Sequence, residues 1–227
     1  MPSTARTRAR DAVLADLTAA AGRQLADVGP VALSVRAVAR ELGMPSSGVY
    51  RYVASRDELL TLVIVDAYQR LAVAVEEAIA SGDDRRAQVL AGIHGVRRWA
   101  HDHPHHYALL YGTPVPGYAA PQDTVVPAAR LYAALLRPLE GVEPTESVVV
   151  APTLADDVGA VIEQLALDIS PETVTVALEL WATMFGMLSI ELFGHLRSTI
   201  ADLDTWFGDG MTRAVDRFAF GDRDEGD

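Results

Sequence analysis

The sequence contains no cysteine and no lysine: all 19 of its basic residues are arginine. The first absence excludes a disulfide scaffold, a thiol nucleophile and a Cys-ligated zinc. The second excludes Schiff-base chemistry and a Walker-type phosphate lysine. Residues 1–30 lack the continuous apolar core of a signal peptide. The most apolar long stretch, Val174 to Phe193, is interrupted by Glu179 and Glu191. A charge near the centre of a membrane helix is costly, so this stretch reads as a buried helix in water, and the expected location is cytoplasmic. An overall positive charge is missing as well. The net charge of −12 excludes bulk attraction of the whole chain to nucleic acid.

What remains is a globular composition of 227 residues, half of them hydrophobic and 22% charged. A chain of this length makes one large domain or two small ones and buries about 70% of its unfolded surface without a metal or disulfide. Charge is spread unevenly. Residues 1–60 carry eight Arg against six acids, a net +2, while the other residues carry eleven Arg against twenty-five acids, a net −14. A slightly basic head on a strongly acidic body points to two separate tasks. Arg6, Arg8 and Arg10 sit together in residues 1–9 and just beyond, without an apolar stripe. Two readings fit them: an unstructured, solubilising N-terminus, or a flexible basic arm that touches phosphate.

The periodicity predicts an all-α protein. A first helix spans about Thr7 to Val28, with Leu14, Leu17, Ala21, Leu25 and Val28 on one stripe, and Gly29-Pro30 stops it. Ser34 is a suitable N-cap for a short helix over Val35 to Leu42, which Gly43 ends in the left-handed manner. A third helix covers Ser46 to Val53. Ser55-Arg56-Asp57-Glu58 forms a capping box for a fourth, running to about Ala80. Further helices are predicted over 85–101, 104–111, 125–139, 146–167, 171–197 and 203–219. Gly112 to Gln122 is a loop, residues 148–150 are strand-like by composition alone, and residues 221–227 form an acidic tail. The domain expectation is an arm at 1–9, a head at 10–60 with its motif at 34–53, a linking helix at 61–84 and a helical body at 85–220.

Two short helices joined by a tight glycine turn form a helix-turn-helix pattern over residues 34–53. Val35, Val38, Leu42 and Val49 are spaced to bury against the first helix, and Ala39 is small where the pair must approach. The outer side of the third helix then shows Ser46, Ser47, Gly48, Tyr50, Arg51 and Tyr52. Hydroxyls, phenols and a guanidinium suit phosphate oxygens and base edges. The capped start of the fourth helix aims N–H groups outward, which favours a phosphate. Such pairs also occur in helical proteins that never meet DNA, so the geometry leaves both readings open.

The body offers three further groups. Trp99, His103, His106, Tyr107, Leu110, Tyr111 and Tyr132, with Asp157, Trp181 and Phe185, either line a ligand pocket or form a packed core. Asp156 and Asp157 either face that pocket or form a solvated pair. Met184, Leu188, Glu191 and Leu192 lie on a helix apolar on two sides. With Trp206, Phe207, Met211 and Val215 they either fill one subunit or also meet a partner. The run His101-Asp102-His103-Pro104-His105-His106 straddles a helix break, so its rings point several ways, and no metal site is expected from it. No nucleophile elbow, metal motif or phosphate loop is present. A helical enzyme using His and Asp is therefore the remote alternative, and no cofactor is expected.

The string Leu33-Ser34-Val35-Arg36, Ala39, Leu42-Gly43, Tyr50-Arg51-Tyr52 and Ser55-Arg56-Asp57-Glu58-Leu59-Leu60 resembles the DNA-binding head of the TetR family of bacterial transcriptional regulators. Trp99, His103-Pro104, Tyr107, Tyr111 to Tyr118, Trp181, Phe185-Gly186 and Glu191 to Leu196 resemble a subgroup with a WHG-like C-terminal domain. The resemblance implies a homodimer on a palindromic double-stranded operator, a small hydrophobic ligand, a four-helix dimer interface and no membrane partner. It implies phosphate contacts from Ser34, Tyr50, Tyr52 and Arg56, guanine readout by Arg36, and base reading by Ser46 and Ser47. Three positions depart from the family pattern: Pro45 for a capping Ser, which would shift the cap to Ser46, Gly48 without a reading side chain, and Val53 for Phe. The implied role is a ligand-released repressor; a regulator without a ligand and an activator are the alternatives.

Overall fold

A computed structural model describes residues 5–221. The chain is built from ten helices among the described residues: α1 (Ala5–Val28), α2 (Val35–Glu41), α3 (Ser46–Val49), α4 (Arg56–Ile79), α5 (Arg85–Asp102), α6 (Pro104–Tyr111), α7 (Val125–Leu136), α8 (Pro152–Leu165), α9 (Pro171–Leu192) and α10 (Leu203–Val215). The all-α expectation holds, with one antiparallel ribbon added. In it β1 (Glu143–Pro144) pairs with β2 (Phe218–Ala219), Glu143 opposite Ala219 and Pro144 opposite Phe218.

The chain forms two compact units. The first comprises residues up to Arg70 together with His103–Ala128, and the second comprises Leu71–Asp102 and Ala129 onward. In the first, Leu17, Ala20, Ala21 and Leu25 of α1 close over Val35, Val38 and Ala39 of α2, Val49 of α3, Val53, and Leu59, Leu60, Val63 and Ile64 of α4. The predicted stripe of α1 is right except at its end, where Val28 is 53% exposed and Ala20 is buried instead. Gly29 (φ +73°) and Gly43 (φ +64°) take the left-handed backbone that ends α1 and turns α2 into α3. The fourth helix is capped as expected on one side: Ser55 Oγ accepts from the Glu58 N–H at 3.1 Å. The Glu58 carboxylate reaches back to Ala54 N–H, one residue beyond the usual partner.

α6 and the loop after it belong to this first unit, a placement no local pattern announced. Leu109, Leu110, Val115 and Tyr118 pack on the head core. The Thr61 and Tyr118 hydroxyls lie 3.0 Å apart, in hydrogen-bond contact. A Cβ at Gly22 of α1 would stand 3.3 Å from His106 Nε2, so the missing side chain admits the imidazole.

In the second unit α9 packs against α5, α8 and α10. Among the described residues α9 is the one helix long and apolar enough to cross a bilayer, yet Val174, Val176, Ala177, Leu180, Trp181, Met184 and Leu188 along it are buried in the fold. Four predicted bounds in this unit move by more than two residues. Residues 146–151 are not helical, because Ala151 is held extended before Pro152 and α8 starts there. The 125–139 helix tightens to a 3-10 turn over Arg137–Leu139, where Pro138 lacks an N–H. α9 ends at Leu192, with Gly194 at φ +79° just beyond. α10 ends at Val215 because the chain joins the ribbon at Phe218. The basic stretch at 1–9 is helical from Ala5, and residues 1–4 and 222–227, including the acidic tail beyond Gly221, lie outside the described residues.

Candidate nucleic-acid interface

The helix-turn-helix pair is assembled on a sealed core with a polar outer side. Val49 is 0% exposed and Val53 1%, whereas Tyr50, between them in sequence, is 46% exposed. α3 is shorter than its predicted span. One α-helical turn over Ser46–Val49 runs into a hydrogen-bonded turn, with Tyr50 N–H donating to Ser46 O at 3.0 Å and Tyr52 N–H to Val49 O at 2.8 Å. Pro45 precedes the first helical residue, so the cap does not shift to Ser46.

The expected DNA-contacting residues fall into three groups. Arg36, Ser47, Tyr50 and Arg51 are exposed, and Ser46 is half-buried beside them. Arg36 and Arg51 make no ion pair among the described residues, so their charge is uncompensated. Ser34 holds the N-cap position with φ −136° and ψ 120°, but its hydroxyl makes no cap hydrogen bond and is left for another acceptor or donor. Its own N–H donates to Gln24 Oε1 at 3.2 Å, which fixes the entry to α2.

Three positions differ from expectation. Gly48 is buried, with a Cβ there set to lie 3.4 Å from Pro45 Cγ, so it serves packing rather than reading. Tyr52 is half-buried, packed on the core, with the Arg10 guanidinium 5.5 Å above its ring. Arg56 is engaged within the protein: Nη2 donates to Pro30 O at 2.6 Å and Nη1 to Asp57 at 2.9 Å. It ties the loop after α1 to the start of α4. That start carries Asp57 and Glu58 in its first turn, which oppose a phosphate there.

The residues expected around a ligand divide between the two units. In the first, Tyr107 is fully buried with its ring 5.3 Å from Tyr111, His103 and His106 stand 6.0 Å apart edge to face, and Leu110 packs on the head core. In the second, Tyr132 lies 4.9 Å from Trp181, and burial raises the pKa of its phenol. Trp99 is buried and Phe185 half-buried there, while Asp157 is exposed beside Asp156, as the solvated-pair reading has it.

The expected dimer residues are largely committed to their own subunit. Met184, Leu188, Phe207, Met211 and Val215 are 0% exposed, and Leu192 and Trp206 are half-buried. Glu191 is the largest surprise. Its side chain is 2% exposed and accepts from Arg97 Nη2 at 2.7 Å and Nε at 3.0 Å, with His101 Nε2 at 2.8 Å. Arg97 also reaches Asp204 at 2.7 Å and lies 4.9 Å over the Phe207 ring. Nothing in the sequence joins residues 94 positions apart.

Two histidines give the fold a pH dependence. His94 has its pKa lowered from 6.5 by burial, then by the Arg97 and Arg98 charges, with Asp204 opposing. His106 is lowered by burial, then by His103, with Asp66 opposing and Arg70 and His105 adding to the effect. The unfolded chain takes up these protons first as pH falls, so stability is complete above 6.5 and is lost below it, toward the depressed folded values. Thermal melting between pH 8 and 5 checks this: Tm should drop on the acid side, and the drop should shrink in a His94→Gln/His106→Gln variant.

Comparison with known proteins agrees with this architecture. The family model for bacterial regulatory proteins of the tetR family matches residues 17–63, and that for the tetracyclin repressor-like C-terminal domain matches residues 89–214. The HTH-type transcriptional regulator Rv1816 of Mycobacterium tuberculosis is 40% identical over 199 residues, covering 84% of this chain and 85% of that protein. The regulatory protein SCO4313 is similar in structure, with a TM-score of 0.76, 32% identity and coverage of 93% and 98% of the two chains. A TetR family regulator from Marinobacter aquaeolei VT8 shares the fold at a TM-score of 0.62 and 17% identity, over 93% and 97%. The chain therefore belongs to the TetR family of transcriptional regulators, a non-enzymatic DNA-binding family, and α2 and α3 are its helix-turn-helix.

Proposed function

We propose that this protein is a homodimeric repressor that a small hydrophobic ligand releases from a palindromic operator. The observation that carries the reading is the outer side of the α2–α3 pair, where Tyr50 is 46% exposed and Arg36 and Arg51 are unpaired above a core that is closed. Arg36 at the start of α2 and Ser46 and Ser47 at the start of α3 are the base-reading candidates. Ser34, Tyr50 and Arg51 are the phosphate candidates. One short helix provides few contacts, so a second copy about 34–36 Å away doubles them on successive groove turns.

The dimer face follows from what each subunit leaves uncovered. Phe207, Met211 and Val215 of α10 face inward, so the partner face is built by α8 and α9 instead. Leu154 and Val161 of α8 are 39% and 44% exposed, and Leu178 of α9 and Phe193 just after its end are 43% and 48% exposed. The latter two fall on one stripe with Ala182, Phe185 and Ser189 at spacings of three and four. Two such helix pairs make a four-helix interface. The test is a Val161→Glu/Leu178→Glu variant. The parent should sediment at twice 24.4 kDa and the variant at that mass, with unchanged helicity and no operator shift. A variant that stays dimeric removes this face from consideration.

Ligand response rests on α4, a single helix that belongs to the head unit up to Arg70 and to the body from Leu71. A ligand that binds better to one placement of α4 shifts the population toward it and lowers affinity for the operator by the same coupling. Thermal-shift screening with small hydrophobic compounds, followed by operator release with any hit, separates this reading from a regulator that needs no ligand.

A further inference from the structure

α1 is longer than its core requires. Residues 5–12 are all exposed, and the first partly buried positions are Val13 and Leu14. About two turns therefore stand clear of the three-helix core, and they hold Arg6, Arg8 and Arg10 against one acid, Asp11. Arginines in the first turns of a helix oppose its dipole, an arrangement that an anion relieves. Arg6 makes no ion pair among the described residues. The Arg10 guanidinium lies 5.5 Å from the ring centroid of Tyr52, the residue that closes the turn after α3. Stacking uses the flat face of a guanidinium and leaves its N–H edges open to an acceptor. Arg6 is four residues back on the same helical face, one turn further out.

We propose that this projecting end of α1 is a second DNA-backbone contact, in which Arg10, held on Tyr52, and Arg6 take phosphate oxygens beside the groove that α3 enters. The proposal rests on the DNA-binding reading of α3 and adds an element outside the helix-turn-helix. Arg10 has two jobs here: it contributes a phosphate contact and it holds the ring at the end of the recognition segment. Contacts of this kind carry no sequence information, so they strengthen binding to every duplex alike.

The test uses the full-length protein, the duplex upstream of its own gene and a scrambled duplex of equal length, with affinity measured by anisotropy from 50 to 200 mM salt. An Arg6→Ala/Arg10→Ala variant removes two phosphate contacts per subunit. The slope of log affinity against log salt should then fall by about 3.6 for the dimer, at about 0.9 per phosphate. Affinity should fall on both duplexes with their ratio unchanged. Alanine is the best helix former, so α1 stays helical, which circular dichroism checks. The charge-matched variant Arg137→Ala/Arg213→Ala, in the second unit, should leave slope and affinity as in the parent. An unchanged slope in Arg6→Ala/Arg10→Ala overturns the proposal, as does a loss confined to the upstream duplex or one equalled by the charge-matched control. A parent that shows no preference for the upstream duplex overturns the α3 reading as well. A parent that does, whose binding is lost with Tyr50 and Arg51 but not with Arg6 and Arg10, overturns this proposal alone.

Discussion

Replacing Tyr50 and Arg51 with Ala is expected to abolish the electrophoretic shift of the upstream duplex while leaving the dimer and its melting temperature intact. Tyr50 is 46% exposed and Arg51 is exposed without an ion pair. Removing them from one subunit deletes a phenol and a guanidinium that are not among the buried residues of the head core. Surface changes of this kind move stability by no more than about 0.5 kcal/mol. Binding should lose more, because the proposed dimer would give up four contacts at once. At about 1 kcal/mol each the total is about 4 kcal/mol, roughly a thousandfold in affinity. The two lost guanidiniums should also lower the salt slope by about 1.8. The adjacent Val49 and Val53 are 0% and 1% exposed and hold the backbone of this turn, so the loss reports contact rather than unfolding. Parent-like binding by the double variant would remove Tyr50 and Arg51 from the interface.

The second large effect concerns the body. Glu191→Ala leaves Arg97 with a side chain only 13% exposed and without the carboxylate that binds it through both Nε and Nη2. Breaking one side of a buried ion pair costs about 3–5 kcal/mol, because the remaining charge is uncompensated. Asp204 stays 2.7 Å from Arg97 but its own side chain is 88% exposed, so it returns only part of the loss. The expected result is a urea midpoint that falls with little change in the m-value. The pair is not itself a large source of stability, since its desolvation offsets most of its attraction. Arg97→Met combined with Glu191→Leu should therefore recover most of the parent midpoint. A single Glu191→Ala variant within about 0.5 kcal/mol of the parent would show that the guanidinium finds water instead.

Much of the head was legible because its signals are local. Gly43 sits where the turn needs a left-handed residue, and the structure gives it φ +64°. Val35, Val38, Ala39 and Val49 fall on a spacing that only one face of each helix satisfies, and all four are buried. Ser55 and Glu58 lie three residues apart and cap α4 from that separation. The recognition segment was overextended for a related reason. Ser46 to Val53 contains no proline to stop a helix, but after one α-helical turn the backbone bonds shorten toward i to i+3, as in Tyr52 N–H to Val49 O.

The body was legible only in outline. Apolar residues on two sides of α9 announced burial on two sides, but periodicity does not say which side meets which neighbour. Most of the residues expected to meet a partner are buried within the subunit, and Leu154, Val161 and Leu178 were left outside instead. Arg56 stands where the family resemblance implies a phosphate ligand, yet the carbonyl of Pro30, 26 residues away, takes its Nη2.

From the sequence alone came the helix content, the helix-turn-helix and its outward side, the split between a basic head and an acidic body, and the family. These depend on residues a turn or two apart, whose relative direction the helical repeat fixes. Tertiary structure alone decided the pairing of Glu191 with Arg97, the enrolment of α6 and Tyr118 in the head's unit, the stacking of Arg10 on Tyr52, and the face of α9 that stays open. Those depend on which surfaces meet once apolar area is removed from water, a choice made by the whole chain.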